Sequence, residues 1–308
     1  MKKNYDESNI VDLIAPGYAP ELKNIKLGLK LLKNHFDLKG RVSKNIIGND
    51  ILCSNSDKYR LNDLKKSIYN KRSEIIWCVR GGYGSHRLLN EMMSQKKPNY
   101  KKLLIGYSDI TSLHLFFNNQ WGWPTLHGPV LDGMINGGCR PIDLKILNKI
   151  LNEKSGSIRY SNFQPLNNNS KKNLIIKGKL SGGNLTTYIS SFGTPWEDSM
   201  KDKILFFEEI GESPRKIDRN LVQLMNQKNF KKIRGIIFGD FLGCVERKNK
   251  SLWKQILSRF AKEVELPVFW KFPSGHGIDK RPLPFGVEVT LKSGKQPCLE
   301  FNIERIWK

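Results

Sequence analysis

Residues 103–117 read Leu103-Leu-Ile-Gly-Tyr-Ser108-Asp109-Ile-Thr-Ser-Leu-His-Leu-Phe-Phe117: a short apolar run, a turn, then apolar residues at helical spacing. The run closed by Gly106 has strand length, and the turn leaves Ser108 where the helix begins. Two earlier runs end in the same way. Val11 to Ala15 is closed by Pro16-Gly17, and Glu74 to Val79 by Arg80-Gly81-Gly82. Between the runs lie helical patterns, Ile25, Leu27, Leu29, Leu31 and Leu32 first, then Tyr59 to Tyr69. Strands alternating with helices predict a parallel sheet whose functional groups gather at the strands' C-terminal ends.

Working outward, Asn152 to Lys172 (NEKSGSIRYSNFQPLNNNSKK) is polar and reads as a linker. Beyond it, strand-like runs at Ile204 to Phe207, Ile233 to Phe238, Pro267 to Trp270 and Gly286 to Leu291 surround one helical pattern, Pro214 to Gln227. The expected fold is therefore α/β: an N-terminal parallel-sheet α/β domain over residues 1–151, a linker over 152–172, and a β-rich C-terminal domain over 173–308.

Composition narrows the function. A chain of 308 residues with 39% hydrophobic and 26% charged residues is neither an extended disordered chain, a collagen nor a coiled coil. The N-terminal segment meets Asp6, Glu7 and Asp12 before any apolar run of signal length, and no later stretch nears 18 uncharged apolar residues. Neither export nor membrane insertion is expected. The five cysteines, Cys53, Cys78, Cys139, Cys244 and Cys298, form no Cys-x-x-Cys pair, which points to free thiols in a reducing compartment and to no structural metal. The net charge of +23 suggests nucleic acid, but residues 1–150 carry 24 Lys/Arg against 13 Asp/Glu and the rest 28 against 16. An excess spread so evenly fits a solvated surface better than a nucleic-acid face.

The chemistry concentrates elsewhere. Leu103 to Cys139 is 37 residues without one Lys or Arg, in a chain where about one residue in six is basic. Ser108 inside it sits as in a nucleophile elbow, its oxyanion within reach of the next backbone N–H, although Ser108 or Asp109 serves equally well as a helix cap. A serine nucleophile needs a base, and the histidines are His35, His86, His114, His127 and His276. His276 is the better candidate because Pro273-Ser-Gly-His-Gly277 puts small residues on both sides of its ring. The orienting carboxylate would come from Ile204-Leu-Phe-Phe-Glu208-Glu209, where β alternation sends the two acids to opposite faces. Arg80-Gly-Gly-Tyr-Gly-Ser85 lacks the spacing of a dinucleotide or P-loop motif, but a glycine turn there is a natural second source of oxyanion N–H groups.

These segments together resemble the LD-carboxypeptidases, a serine peptidase family that includes the microcin C immunity peptidases. The resemblance is carried by Arg80-Gly-Gly-Tyr-Gly, Ile105-Gly-Tyr-Ser-Asp-Ile-Thr-Ser-Leu, His127-Gly-Pro, Ser181-Gly-Gly-Asn-Leu185, Gly193-Thr-Pro, Leu205-Phe-Phe-Glu-Glu-Ile-Gly-Glu, Ile217-Asp-Arg219 and Gly275-His-Gly. It implies Ser108 as nucleophile, His276 as general base, Glu208 as orienting acid, and an oxyanion hole from the backbone N–H of Asp109 and Gly82, with Gly81 as the other choice. It also implies a homodimer. The activity it implies is cytoplasmic release of the terminal D-alanine from murein tetrapeptides, without metal or cofactor, nucleic acid or membrane. The alternative within the family is cleavage of peptidyl-nucleotide conjugates, for which Trp196 is the aromatic to watch. The alternative outside it is nucleic-acid binding.

Overall fold

The computed structural model describes residues 9–136, 138–246 and 251–308, so Asp6 and Glu7 lie outside the described residues. The strands run in chain order as β1 Ile10–Ile14, β2 Lys39–Val42, β3 Ile75–Cys78, β4 Leu103–Gly106, β5 Thr125–His127, β6 Ser157–Tyr160, β7 Gln164–Pro165 and β8 Ile175–Asn184. They continue as β9 Lys203–Ile210, β10 Gly235–Leu242, β11 Val268–Trp270, β12 Leu283–Phe285, β13 Glu288–Lys292 and β14 Cys298–Asn302.

Two sheets result. The first has the order β12-β5-β4-β3-β1-β2, with β1 to β5 parallel as the alternating pattern predicted. β3 and β4 are buried at every residue, as parallel strands covered on both faces must be. Their apolar runs were readable for that reason. The second sheet has the order β6-β14-β13-β8-β9-β10-β11-β7. Its centre, β8 to β11, is parallel, and antiparallel strands flank it on both sides.

Three features departed from expectation. Residues 152–172 do not simply connect: β6 and β7 lie there, at the two edges of the second sheet. The polar sequence conceals a buried side, Ile158, Tyr160 and Phe163, and Asn167 caps the helix Asn168–Lys171. β8 is ten residues long yet rich in Lys and Gly, so no apolar run announced it. Finally, the chain returns to the first sheet at β12, which pairs antiparallel with β5 through Leu283 opposite His127.

Two buried clusters each draw on both sheets. One runs from Trp77, Ile105 and Leu126 of the first sheet to Phe206, Ile237 and Phe269 of the second, the other from Ile76 and Leu104 to Leu205 and Phe207. The segment without Lys or Arg contains β4, β5 and the helix Thr111–Phe116, all of them wholly buried. Positive charge is missing there because an unpaired charge is costly to bury.

Candidate active site

β3 and β4 are neighbours, with Trp77 opposite Ile105, so the turns that follow them adjoin. On the second turn Ser108 has φ of 65°, in the left-handed region. For a residue with a side chain this costs on the order of 1–3 kcal/mol and persists only where the surroundings enforce it. Asp109 enforces it. Its buried carboxylate accepts from Gly84 N at 3.2 Å and Ser85 N at 2.9 Å, while Ser85 Oγ donates to Asp109 O at 2.6 Å. Burial pushes the Asp109 carboxyl up, against the pull of the Ser85 N–H.

The glycine turn thus lies directly on the elbow. A Cβ on Gly81 would stand 3.1 Å from Ser108 Cβ and 3.5 Å from Asp109 N, and Gly82 has φ of 89°. A side chain at Gly81 would press on the elbow, and one at Gly82 on Tyr18. Ser108 itself remains half-buried, within reach of a ligand.

His276 and Glu208 meet across 68 positions of sequence, with Nδ1 and Oε2 2.5 Å apart. The contact assigns the ring proton to Nδ1 and leaves Nε2 as the acceptor. Glu208 is fully buried, and its other oxygen, Oε1, has no hydrogen-bond partner. Burial lowers the His276 pKa, but the charge and the hydrogen bond of Glu208 together outweigh it and hold the ring above its ordinary value.

Glu209 faces the other way, as alternation required. It accepts from Asn184 Nδ2 at 2.6 Å, Thr186 N at 2.9 Å and Ile210 N at 2.9 Å, anchoring the start of the helix Leu185–Ile189.

The loop glycines beside His276 have a different purpose from the one inferred. A Cβ on Gly275 would lie 2.8 Å from Asp240 Cβ, and one on Gly277 would lie 2.5 Å from Asp240 Oδ2. The glycines let the loop lie against Asp240, which accepts from Gly277 N at 3.1 Å. Burial pushes the Asp240 carboxyl up to about 6.

The remaining histidines are accounted for. His127 is buried against Phe206 and Phe285, with ring centroids 5.2 Å from each, and desolvation drives it well below the usual imidazole range. His114 Nε2 bonds Gly106 O at 2.9 Å, and burial brings the ring down to about 4. His86 packs edge-on against Tyr83, and His35 is exposed on the helix Leu22–Phe36. Trp196 is buried, 7% exposed, and offers no open face.

Sequence reasoning missed Tyr107, whose ring lies 4.6 Å from that of His276, and Thr111, whose Oγ1 accepts from Asn184 N at 3.0 Å and ties the helix after Ser108 to β8. Both stand in the motif around Ser108, but their partners lie across the junction of the sheets, where no local pattern points to them. Among the described residues no group of three or more His, Cys, Asp or Glu side chains is arranged for a metal ion, and no helix is long and apolar enough to cross a membrane.

Comparison with known proteins joins these observations. A Rickettsia conorii protein assigned as a carboxypeptidase is 32% identical over 288 residues, covering 93% of this chain and 89% of its own. The murein tetrapeptide carboxypeptidase of Pseudomonas aeruginosa is 27% identical over 295 residues, covering 92% and 94%. The crystal structure of muramoyltetrapeptide carboxypeptidase from Oxalobacter formigenes shares the fold, with a TM-score of 0.80 at 24% identity over 94% of this chain and 98% of that one. Residues 11–128 match the LD-carboxypeptidase N-terminal domain and residues 177–291 the LD-carboxypeptidase C-terminal domain. With both domains matched in order and a relative 32% identical over 93% of the chain, the chain belongs to the LD-carboxypeptidase family.

Proposed function

We propose that this protein is a serine carboxypeptidase that hydrolyses the L,D-peptide bond of murein tetrapeptides and releases the terminal D-alanine. The observation that carries this reading is the His276–Glu208 pair, whose imidazole packs 4.6 Å from the ring of Tyr107, the residue before a serine held at positive φ. Ser108 Oγ attacks the carbonyl carbon of the L-configured residue while His276 Nε2 takes its proton. The charge on the tetrahedral oxygen is met by the backbone N–H groups of Asp109 and Gly82, or of Gly81, which packs closer to Ser108. Collapse breaks the C–N bond, and His276 returns the proton to the departing amine. Water, activated by the same imidazole, then releases the acyl group from Ser108. Glu208 keeps Nδ1 protonated and stabilises the imidazolium at each transfer. On this reading the enzyme works in the cytoplasm as a homodimer without metal.

The test is mass spectrometry of a purified murein tetrapeptide after incubation, where loss of one alanine is the expected result. Amidating the C-terminus should lower kcat/KM about a hundredfold, because donors built for a carboxylate lose their charged partner. Equal cleavage of the amide, or a clear preference for an aminoacyl sulfamoyl adenosine, would replace this reading with the immunity-type activity. The buried face of Trp196 speaks against that outcome. Salt-sensitive capture of RNA or DNA without peptide cleavage would favour the nucleic-acid reading.

A further inference from the structure

The loop that carries His276 spans the two sheets, leaving the second at β11 and entering the first at β12. It closes on itself through Arg281 N to Pro273 O at 3.1 Å, Ser274 Oγ to Arg281 O at 2.9 Å and Lys280 Nζ to Gly277 O at 2.5 Å. Two carboxylates then grip it from outside. Asp240, on β10, comes from the same sheet as Glu208. Asp143 comes from the other half, in the first turn of the helix Pro141–Asn148 that follows β5.

Asp143 is 1% exposed, and both of its oxygens are used on this one loop. Oδ2 accepts from Lys280 N at 3.0 Å, and Oδ1 accepts from Arg281 Nη1. Beside it Arg140, the residue before the helix, pairs with Asp279 at 2.8 Å. Three successive loop residues are therefore held by the start of one helix. The division of labour follows. Glu208 belongs to the second sheet and fixes the direction of the imidazole, but Ser108 belongs to the first. The first half meets this loop at the β12–β5 pairing, at the Tyr107 ring and, through a buried carboxylate, at Asp143.

We propose that Asp143 is a positioning residue for the base: by holding Lys280 and Arg281 it sets the place of His276 relative to Ser108. The inference rests on the reading of Ser108 and His276 as nucleophile and base. A displacement on the order of 1 Å between such partners costs on the order of a hundredfold in rate.

The experiment uses the full chain, with tetrapeptide turnover and, separately, the rate at which a fluorophosphonate labels Ser108. Asp143→Ala should lower kcat about thirty- to a hundredfold, leave KM within about threefold, and slow labelling in parallel. Asp143→Asn removes the same charge but keeps one acceptor oxygen, so it should recover part of both rates. Equal losses in the two variants would assign the effect to charge and overturn the positioning role. So would an Asp143→Ala protein that turns over within threefold of wild type, or one whose loss lies in KM alone. Should Asp143→Ala fail to fold by circular dichroism, Arg281→Lys keeps the charge and shortens the reach, and a severalfold loss in kcat is expected; an unchanged kcat overturns the proposal. Labelling separates the two levels of inference. A wild type that is labelled at Ser108 but leaves the tetrapeptide intact fails the substrate reading alone, and the effect of Asp143 is then read from labelling. A wild type that is neither labelled nor active overturns both.

Discussion

The turn that holds Ser108 and the loop that holds His276 solve the same problem by opposite means. The serine is fixed by neighbours in the sheet, two adjacent strand ends whose turns interlock through backbone N–H groups and the Asp109 carboxylate. Histidine is fixed from a distance, by Glu208, Asp240 and Asp143, which lie 68, 36 and 133 positions away. One arrangement is mostly backbone; the other depends on buried charged side chains. The difference teaches where the site is vulnerable. Backbone interlocking tolerates changes elsewhere in the fold, whereas a loop hung between two sheets on carboxylates transmits any change in those side chains to His276.

The largest expected effect is at the turn. Ser108→Ala should lower turnover by a thousandfold at the least, and toward a millionfold if the whole triad is disabled with it, because triad members act as a unit. Folding should be unaffected by thermal denaturation, since the hydroxyl contributes little packing. Activity above about a thousandth of wild type would end the case for covalent catalysis by Ser108. Next comes Glu208→Gln, expected to cost about a thousand- to ten-thousandfold in kcat. It should also displace the pH profile. A protonated imidazole accepts no proton, so the acid limb of kcat/KM follows the His276 pKa and lies above the ordinary value of 6.5 in the wild type. Without the carboxylate the limb moves to lower pH; an unmoved limb would assign it to another group.

A smaller effect tests the loop's dependence on distant contacts. In Gly275→Ala the new Cβ must stand 2.8 Å from Asp240 Cβ and 3.3 Å from Asp240 N, which no rotation of that side chain clears, so the loop shifts and kcat should fall about tenfold or more by the sensitivity of catalysis to misplacement. Gly122→Ala is the control: it has positive φ, but nothing lies within 4 Å of its Cβ, and turnover should stay within about twofold at a stability cost of about 1 kcal/mol. If the two behave alike, the contact with Asp240 does not place His276. A similarly small effect on rate is expected for Glu209→Gln. Turnover should stay within about threefold, whereas chemical denaturation should register a loss of about 1–3 kcal/mol from weakened charge-assisted bonds to Asn184, Thr186 and Ile210. A rate loss matching that of Glu208→Gln would place both acids in the proton pathway.

The amino-acid sequence by itself determined whatever depends on contiguous residues. The apolar runs of β3 and β4 closed by glycine, and of β1 with Asp12 its one charged residue, gave the parallel sheet, because strands buried on both faces are nearly continuous apolar runs. Alternation separated Glu208 from Glu209, since neighbouring residues of a strand cannot share a face. The same rule hid β8 and β6, whose exposed positions carry Lys, Arg and Ser and whose buried ones are interrupted by glycine or confined to two residues. Tertiary structure alone decided the return of β12 to the first sheet, the packing of Tyr107 on His276, and the meeting of Asp143 with Lys280 and Arg281. Each joins segments far apart in the chain through one or two side chains. A local pattern arises where many neighbouring residues obey the same periodic constraint, but a single long-range contact imposes no period, so only the folded chain reveals it.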